Sequence, residues 1–446
     1  MTWDGSEFLR RFAGPVPTAA QLAWQRDERA LFLHFGTTTF TDKEWGDGTE
    51  TPEIFNPAKL NARQWARTAK ETGFPAMILT AKHHDGFCLW PTRTTEHSVA
   101  SSPFRGGKGD VVREFVDACR AEGIKPGLYC SPWDRNSGVF GEGAKYNDLY
   151  IAQLTELLTN YGDLYQLWFD GANGEGPNGE RQVYDWPRTF ALVRKLQPNA
   201  IIFSDAGPDA RWIGNDRGDP SQPNWSRMDP TAIPHPGFYG PRVNAALQSG
   251  HANGSVWRPG ETDISIRPTW YHHAREDRRV KPAGTLVAYF FQSVGRNSKL
   301  LLNVPPNRDG LFSDSDVTAL RGMHKEITEL FSDDLTKGLK VTWTKTGAKT
   351  GTAEVDFGRT VRLNVIDVRE DVSKGQSAAG YSCEGWQNGA WVELSKGTTI
   401  GYRALDRVRQ TEVSKLRVLI SDSVDTLHPI ELRAFAEPLP SARLPR

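Results

Sequence analysis

The stretch Leu164-Tyr165-Gln166-Leu167-Trp168-Phe169-Asp170-Gly171 ends an apolar, aromatic run in a single acid, and Gly171, Asn173 and Gly174 follow at once. That is the pattern of a buried strand delivering one carboxylate to the mouth of a sheet or barrel. A carboxylate so placed is either salt-bridged structure or chemistry. Neighbouring apolar runs also end in hydrogen-bonding groups: His34-Phe35-Gly36, Lys82-His83-His84-Asp85-Gly86, Tyr129-Cys130-Ser131-Pro132-Trp133 and Ser204-Asp205. Any one of these alone is weak; together they favour chemistry. Indoles lie beside several of them, at Trp45, Trp133, Trp168 and Trp212. An indole offers a flat apolar face and one donor, which suits a sugar ring. Two carboxylates flanking a bond, with aromatic stacking and His or Tyr hydrogen bonding, are the equipment of glycoside hydrolysis. One attacks the anomeric carbon, and the other, kept protonated, donates to the leaving oxygen.

Each candidate has a plainer reading. His83-His84 invites a metal, but adjacent strand residues project to opposite faces and rarely bind one ion. No HExxH-type helical pair supports a metal either. Neutral imidazoles hydrogen-bonding to hydroxyls fit better, so no metal or other cofactor is expected. Glu44-Trp45 could bind sugar hydroxyls, or Glu44 could be a solvated loop acid. Asp85 could orient a histidine. Further acids stand in Arg211-Trp212-Ile213-Gly214-Asn215-Asp216 and Trp257-Arg258-Pro259-Gly260-Glu261-Thr262-Asp263. For Glu261 and Asp263, ion pairing with Arg258 and Arg267 is the strong alternative.

These residues need elements to hold them. Apolar runs at Ala30–Phe35, Ala76–Ala81, Lys125–Cys130, Leu164–Phe169, Ala200–Ser204 and Lys299–Val304 read as strands. Helical patterns at Pro57–Thr72, Gly109–Glu122, Tyr146–Tyr161, Val183–Leu196 and Ser315–Phe331 alternate with them. Such β-α alternation predicts an α/β fold of (β/α)8-barrel type over residues 1–335, whose strand C-termini carry the chemistry. Gly207–Arg279, rich in Pro, Gly, Asn and Trp, reads as long ordered loops over the site. From about Leu339 short strand-like runs split by Gly, Asp and Ser predict a C-terminal β-sandwich, residues 336–446. That domain is read as a brace for the barrel, with a carbohydrate-binding module as the alternative.

The chain has 446 residues, and Lys plus Arg balance Asp plus Glu at 54 each. No global field favours nucleic acid or an anionic membrane surface, so neither is expected as a partner. Four cysteines, Cys88, Cys119, Cys130 and Cys383, form no CxxC pair and are too few for a disulfide scaffold. No run of 18 apolar residues suggests a membrane-spanning helix. Met1-Thr2-Trp3-Asp4-Gly5 carries neither a basic n-region nor an apolar h-region. The expectation is a cytoplasmic protein, or a periplasmic or secreted one whose signal has been removed.

At Leu33-His34-Phe35-Gly36, Glu44-Trp45, Ala81-Lys82-His83-His84-Asp85-Gly86-Phe87, Leu167-Trp168-Phe169-Asp170-Gly171-Ala172-Asn173 and Leu300-Leu301-Leu302-Asn303-Val304 the chain resembles the family 29 glycoside hydrolases, the α-L-fucosidases. The resemblance implies a retaining double displacement with Asp170 as nucleophile. It implies that His34, His83, His84, Tyr129 and Trp168 hold the fucosyl ring, and that the substrate is a fucosylated oligosaccharide or glycoconjugate. Phe203–Asp209 and Asp263–Pro268 are similar to the branch preferring α-1,3 and α-1,4 fucosyl linkages. That branch has a glutamic acid/base in a Trp-Ile/Val-Gly-Asn-Glu segment, where this chain has Asp216. Asp216 is therefore the expected acid/base, with Glu261 next in line. Thr269 stands where the resemblance expects Gly before an aromatic pair. The alternatives are a fucose-binding protein with little turnover and a hydrolase of another fucose-like α-glycoside.

Overall fold

The protein is described here by a computed structural model over residues 14–437; the Met1–Gly5 segment lies outside the described residues. Eight parallel strands close into a barrel: β1 (Arg29–Leu33), β2 (Ala76–Lys82), β3 (Lys125–Cys130), β4 (Gln166–Trp168), β5 (Ile201–Ser204), β6 (Ala210–Trp212), β9 (Gly260–Ser265) and β10 (Ser298–Asn303). The ring is sealed where β1 pairs with β10, Leu31 opposite Leu302, and with β2, Leu31 opposite Met77. Strand side chains alternate between faces. Phe32, Ile78, Ile201, Phe203 and Leu301 point inward and form one cluster with Trp24, while Leu31, Leu79, Leu128, Leu167 and Leu302 join the larger core shared with the helices. Helix α1 (Ala19–Arg26), with a Thr18–Gln21 capping box, plugs the end from which β1 starts, and the Trp24 indole N–H donates to Gln166 Oε1 at 2.9 Å.

Helices α2 (Ala62–Glu71), α3 (Val111–Glu122), α4 (Ala144–Asn160) and α5 (Trp186–Leu196) follow the first four strands. Their starts are chemical: Asn61, Asp110 and Asp185 each cap the backbone N–H three residues on. Those caps explain why α2 and α5 begin later than their periodicity suggests. No helix separates β5 from β6, which pair in parallel across only a short turn.

The expectation that Gly207–Arg279 is all loop is corrected. It contains barrel strands β6 and β9, the small ribbon β7 (Arg227–Met228) and β8 (Val256–Trp257), and α6 (Pro241–Ser249). β6 is three residues long, and β9 turns Glu261 and Asp263 inward where an ordinary strand would place apolar groups, so neither has an apolar signature. α7 (Ala283–Ser293) and α8 (Asp314–Leu330) flank β10.

Beyond α8 lies a six-stranded antiparallel sheet: β11 (Thr342–Lys345), β12 (Gly351–Glu370), β13 (Ala378–Gln387), β14 (Ala390–Gly397), β15 (Ala404–Ser423) and β16 (Ile430–Phe435). Its hydrogen bonding is continuous instead of split into two sheets, because β12 and β15 each run for 20 residues through both halves. Register slips after Asp356 and Leu363 mark bulges, which bend such strands around a core of Val355, Leu363, Leu416 and Val418. Val365, Leu405 and Phe435 belong to the barrel's own core cluster, so the two parts share buried apolar surface. Across the same junction Arg403, which pairs with Asp367 at 2.8 Å on its own side, pairs with Glu28 at 3.0 Å. All four cysteines are buried and free.

Candidate active site

The C-terminal ends of the strands surround a cavity of about 330 Å³. Asp170, two residues past β4, lies in its wall. Its carboxylate accepts from Tyr129 Oη at 3.1 Å and from the Ala172 backbone N–H at 2.8 Å, and His84 Nε2 stands 3.7 Å away. Burial and then the Asp170 charge hold the Tyr129 phenol well above its ordinary pKa, so it remains a donor.

Three other acids line the same cavity, at Asp205, Asp216 and Asp263. Burial, then the charge of Asp170, pushes Asp205 up to about 6, and its one cross-loop donor is the Gly237 N–H at 3.0 Å. Asp216 as a residue is exposed, yet withdrawal of its carboxyl from water, followed by the Asp170 charge, pushes it up to about 6 as well. Asp263 is buried and accepts the Trp212 indole N–H at 2.8 Å; burial, then the charge of Asp216, holds it well above the carboxylate range. The cavity therefore combines one donor-rich carboxylate with three whose carboxyls burial and neighbouring charge raise toward protonation, the division of labour that acid-assisted displacement needs.

The histidines are neutral donors or acceptors. Burial drives His34 down to about 3 and His83 well below its ordinary value. His84 is also lowered by burial, opposed by Asp170. His34 Nδ1 bonds Asn303 Oδ1 at 2.8 Å, and His84 Nδ1 bonds Ser131 Oγ at 2.7 Å, so each ring is oriented from behind. His83 stacks on Tyr129 with centroids 5.6 Å apart, and Trp168 stacks on Phe203 at 4.3 Å. Among the described residues no group of three or more His, Cys, Asp or Glu is arranged to hold a metal ion.

A family model described as Alpha-L-fucosidase matches residues 20–327. The chain is 40% identical over 441 residues to Alpha-L-fucosidase 1 of Arabidopsis thaliana, covering 92% of this chain and 85% of that one. This chain belongs to the alpha-L-fucosidase family. Among solved structures, SpGH29 superposes with a TM-score of 0.89 at 38% identity, covering 95% of this chain and 99% of that one. A Ruminococcus gnavus GH29 fucosidase in complex with fucose superposes with a TM-score of 0.85 at 28% identity, covering 95% of each chain. The protein is thus a glycoside hydrolase of the alpha-L-fucosidase type, with the barrel and C-terminal sheet of that family.

In this member of the alpha-L-fucosidase family, His34, Trp45, His83, His84, Tyr129, Trp168, Asp170, Trp212 and Asp216 all line the cavity. Glu44, Trp133 and Glu261 do not. Glu44 accepts the Trp270 backbone N–H at 3.0 Å, supporting a wall residue from outside. The Trp133 indole donates to the Glu175 carbonyl at 3.1 Å, with its ring centroid 5.0 Å from that of His84. Glu261 lies beneath Trp168, accepting its indole N–H at 2.9 Å and Gln166 Nε2 at 3.0 Å; burial pushes it up to about 7. The ion pairs expected of Glu261 and Asp263 with Arg258 and Arg267 are absent, since Arg267 instead pairs with Asp316 at 3.0 Å and Asp277 at 2.9 Å. Asp85 does not orient a histidine either. It binds the Thr37 hydroxyl and the Phe87 N–H, fixing the loops after β1 and β2. Sequence reasoning missed Trp270, whose ring centroid lies 5.1 Å from that of His34, and Asn303, which bonds both His34 and the Trp270 carbonyl. The sequence signal for both was present, in the aromatic pair after Thr269 and in the polar end of β10.

Proposed function

We propose that the protein is a retaining, exo-acting α-L-fucosidase that removes terminal α-linked fucose, of 1,3 and 1,4 linkage, from oligosaccharides or glycoconjugates. Asp170 carries the reading: a carboxylate at a strand end, held by Tyr129 and the Ala172 N–H, in a cavity whose other acids are pushed up by burial and by the Asp170 charge. Asp170 attacks the anomeric carbon while protonated Asp216 gives its proton to the departing glycosidic oxygen. A fucosyl ester of Asp170 forms and the aglycone leaves as an alcohol. Asp216, now a carboxylate, takes a proton from water as that water attacks the ester, releasing fucose and restoring both groups. His34, His83, His84 and Trp168 bind the ring. A cavity of about 330 Å³ suits one terminal sugar residue.

A panel of linkage-defined fucosylated oligosaccharides tests this, with release read by chromatography and the first-formed anomer by proton NMR. α-Fucose appearing first from the 1,3- and 1,4-linked members is expected. β-Fucose first would refute retention, and tight binding without release would favour a fucose-binding protein. Asp170→Ala should cut turnover by at least about 10³-fold. Added azide should partly restore turnover, giving the β-fucosyl azide.

A further inference from the structure

Asp205 and Asp263 are the cavity acids that the displacement leaves without a role, and Asp263 shares a donor with the acid that has one. An indole carries one N–H and no acceptor. That of Trp212 donates to Asp263 Oδ1 at 2.8 Å, and Trp212, Asp216 and Asp263 all line the same cavity. Trp212 stands four residues ahead of Asp216 and pairs across β6 and β9 with Glu261, two residues before Asp263. Its ring packs against the inner cluster of Phe203 and Ala210 and against Val243 and Leu247 of α6. The ring is therefore pinned, with one N–H in reach of two carboxyls. A donor favours the charged form of a carboxyl. For Asp216 the Trp212 N–H is the group that pulls toward ionisation, against burial and the Asp170 charge. Asp263 is raised well above the carboxylate range by burial, by the charge of Asp216 and by Glu261 on its own strand. Among the described residues no cation pairs with it. Arg267 is engaged by Asp316 and Asp277, Lys299 of β10 donates to the Trp24 carbonyl and Tyr165, and the β10 residue opposite Asp263 is Leu301. A protonated carboxyl still accepts at its carbonyl oxygen, so Asp263 can hold the indole without a charge of its own.

We propose that Asp263 is a positioning residue for the acid/base: by holding the Trp212 N–H it withholds that donor from Asp216, which then keeps its proton for the leaving oxygen. The inference rests on the assignment of Asp216 as acid/base above. Asp263 itself exchanges no proton with the substrate. It acts only through the indole, so what matters at this position is an acceptor, not a charge.

The test is the pH profile of kcat/KM on a fucosylated trisaccharide, read for its basic limb, with melting temperature checking that each variant is folded. Asp263→Ala leaves Asp216 as the acceptor for the indole and should move the limb down by about one pH unit. Asp263→Asn keeps a carbonyl oxygen for the indole and should leave the limb in place. Trp212→Phe removes the donor, so its limb should not move down, and adding Asp263→Ala to it should bring no further shift. A merely structural role would lower kcat or the melting temperature without moving the limb. A limb unmoved in Asp263→Ala, or moved equally in Asp263→Asn, overturns the proposal. Should Asp263→Ala fail to fold, a limb moved down in Trp212→Phe alone overturns it. Asp216→Asn separates the two readings. A limb that persists there refutes the acid/base assignment and this proposal together, whereas a limb lost there yet unmoved in Asp263→Ala refutes this proposal alone.

Discussion

Asp216 is the residue on which the mechanism is most sharply exposed. Aspartate is one methylene shorter than glutamate, so the carboxyl reaches the glycosidic oxygen only if its loop sits close, and misplacement by roughly 1 Å costs about 10²-fold. Asp216→Asn should therefore depress turnover of natural glycans far more than that of an activated aryl fucoside, whose leaving group needs little protonation. Asp216→Glu is expected to raise natural-substrate turnover if the loop has room for the longer acid. The pH dependence has a definite sign. A general acid works only while protonated, and Asp216 is held up at about 6, so kcat/KM on natural glycans should fall as pH rises through about 6. Asp216→Asn should flatten that limb. A limb that persists in Asp216→Asn would assign it to another group.

Strand β9 shows what an element contributes. Its inward positions carry Glu261 one layer below the cavity and Asp263 at the wall, and each holds an indole, Trp168 and Trp212 respectively. Glu261→Ala should leave the Gln166 amide and Trp168 indole donors unpaired in a dry layer, costing about 1–3 kcal/mol per group. The melting temperature should fall, and KM for an aryl fucoside should rise as Trp168 loses its orientation. Unchanged melting would deny Glu261 this support role. The same strand shows where sequence reading stops. β2, β3 and β10 were legible because their inward and outward positions are both largely apolar. Asp170, His34, His83, His84 and Tyr129 were legible because they cap such runs. β6 and β9 were not, because pairing and site chemistry, not apolar burial, define them. For Glu44 the sequence leaves open a sugar ligand or a solvated loop acid, because it cannot show that one carboxylate oxygen accepts the Trp270 backbone N–H.

At the scale of the molecule we propose that the C-terminal sheet braces the barrel. Val365, Leu405 and Phe435 extend the barrel core, and Arg403 spans the junction to Glu28. Arg403→Ala leaves buried Asp367 with Arg369 as its remaining ion-pair partner at 3.2 Å, so it should destabilise by less than the about 3–5 kcal/mol expected of a buried charge left with no partner. Ending the chain after residue 335 should expose this apolar face and yield insoluble protein. A soluble, fully active barrel would show that the sheet is dispensable.

The central claim is that Asp170 forms a covalent bond to fucose. Incubation with 2-deoxy-2-fluoro-α-L-fucosyl fluoride, which slows release of the intermediate, followed by peptide mass spectrometry, tests it directly. The account predicts one fluorofucosyl adduct per chain, on Asp170, absent from Asp170→Ala. An adduct on another carboxylate, or rapid turnover with none, would contradict it.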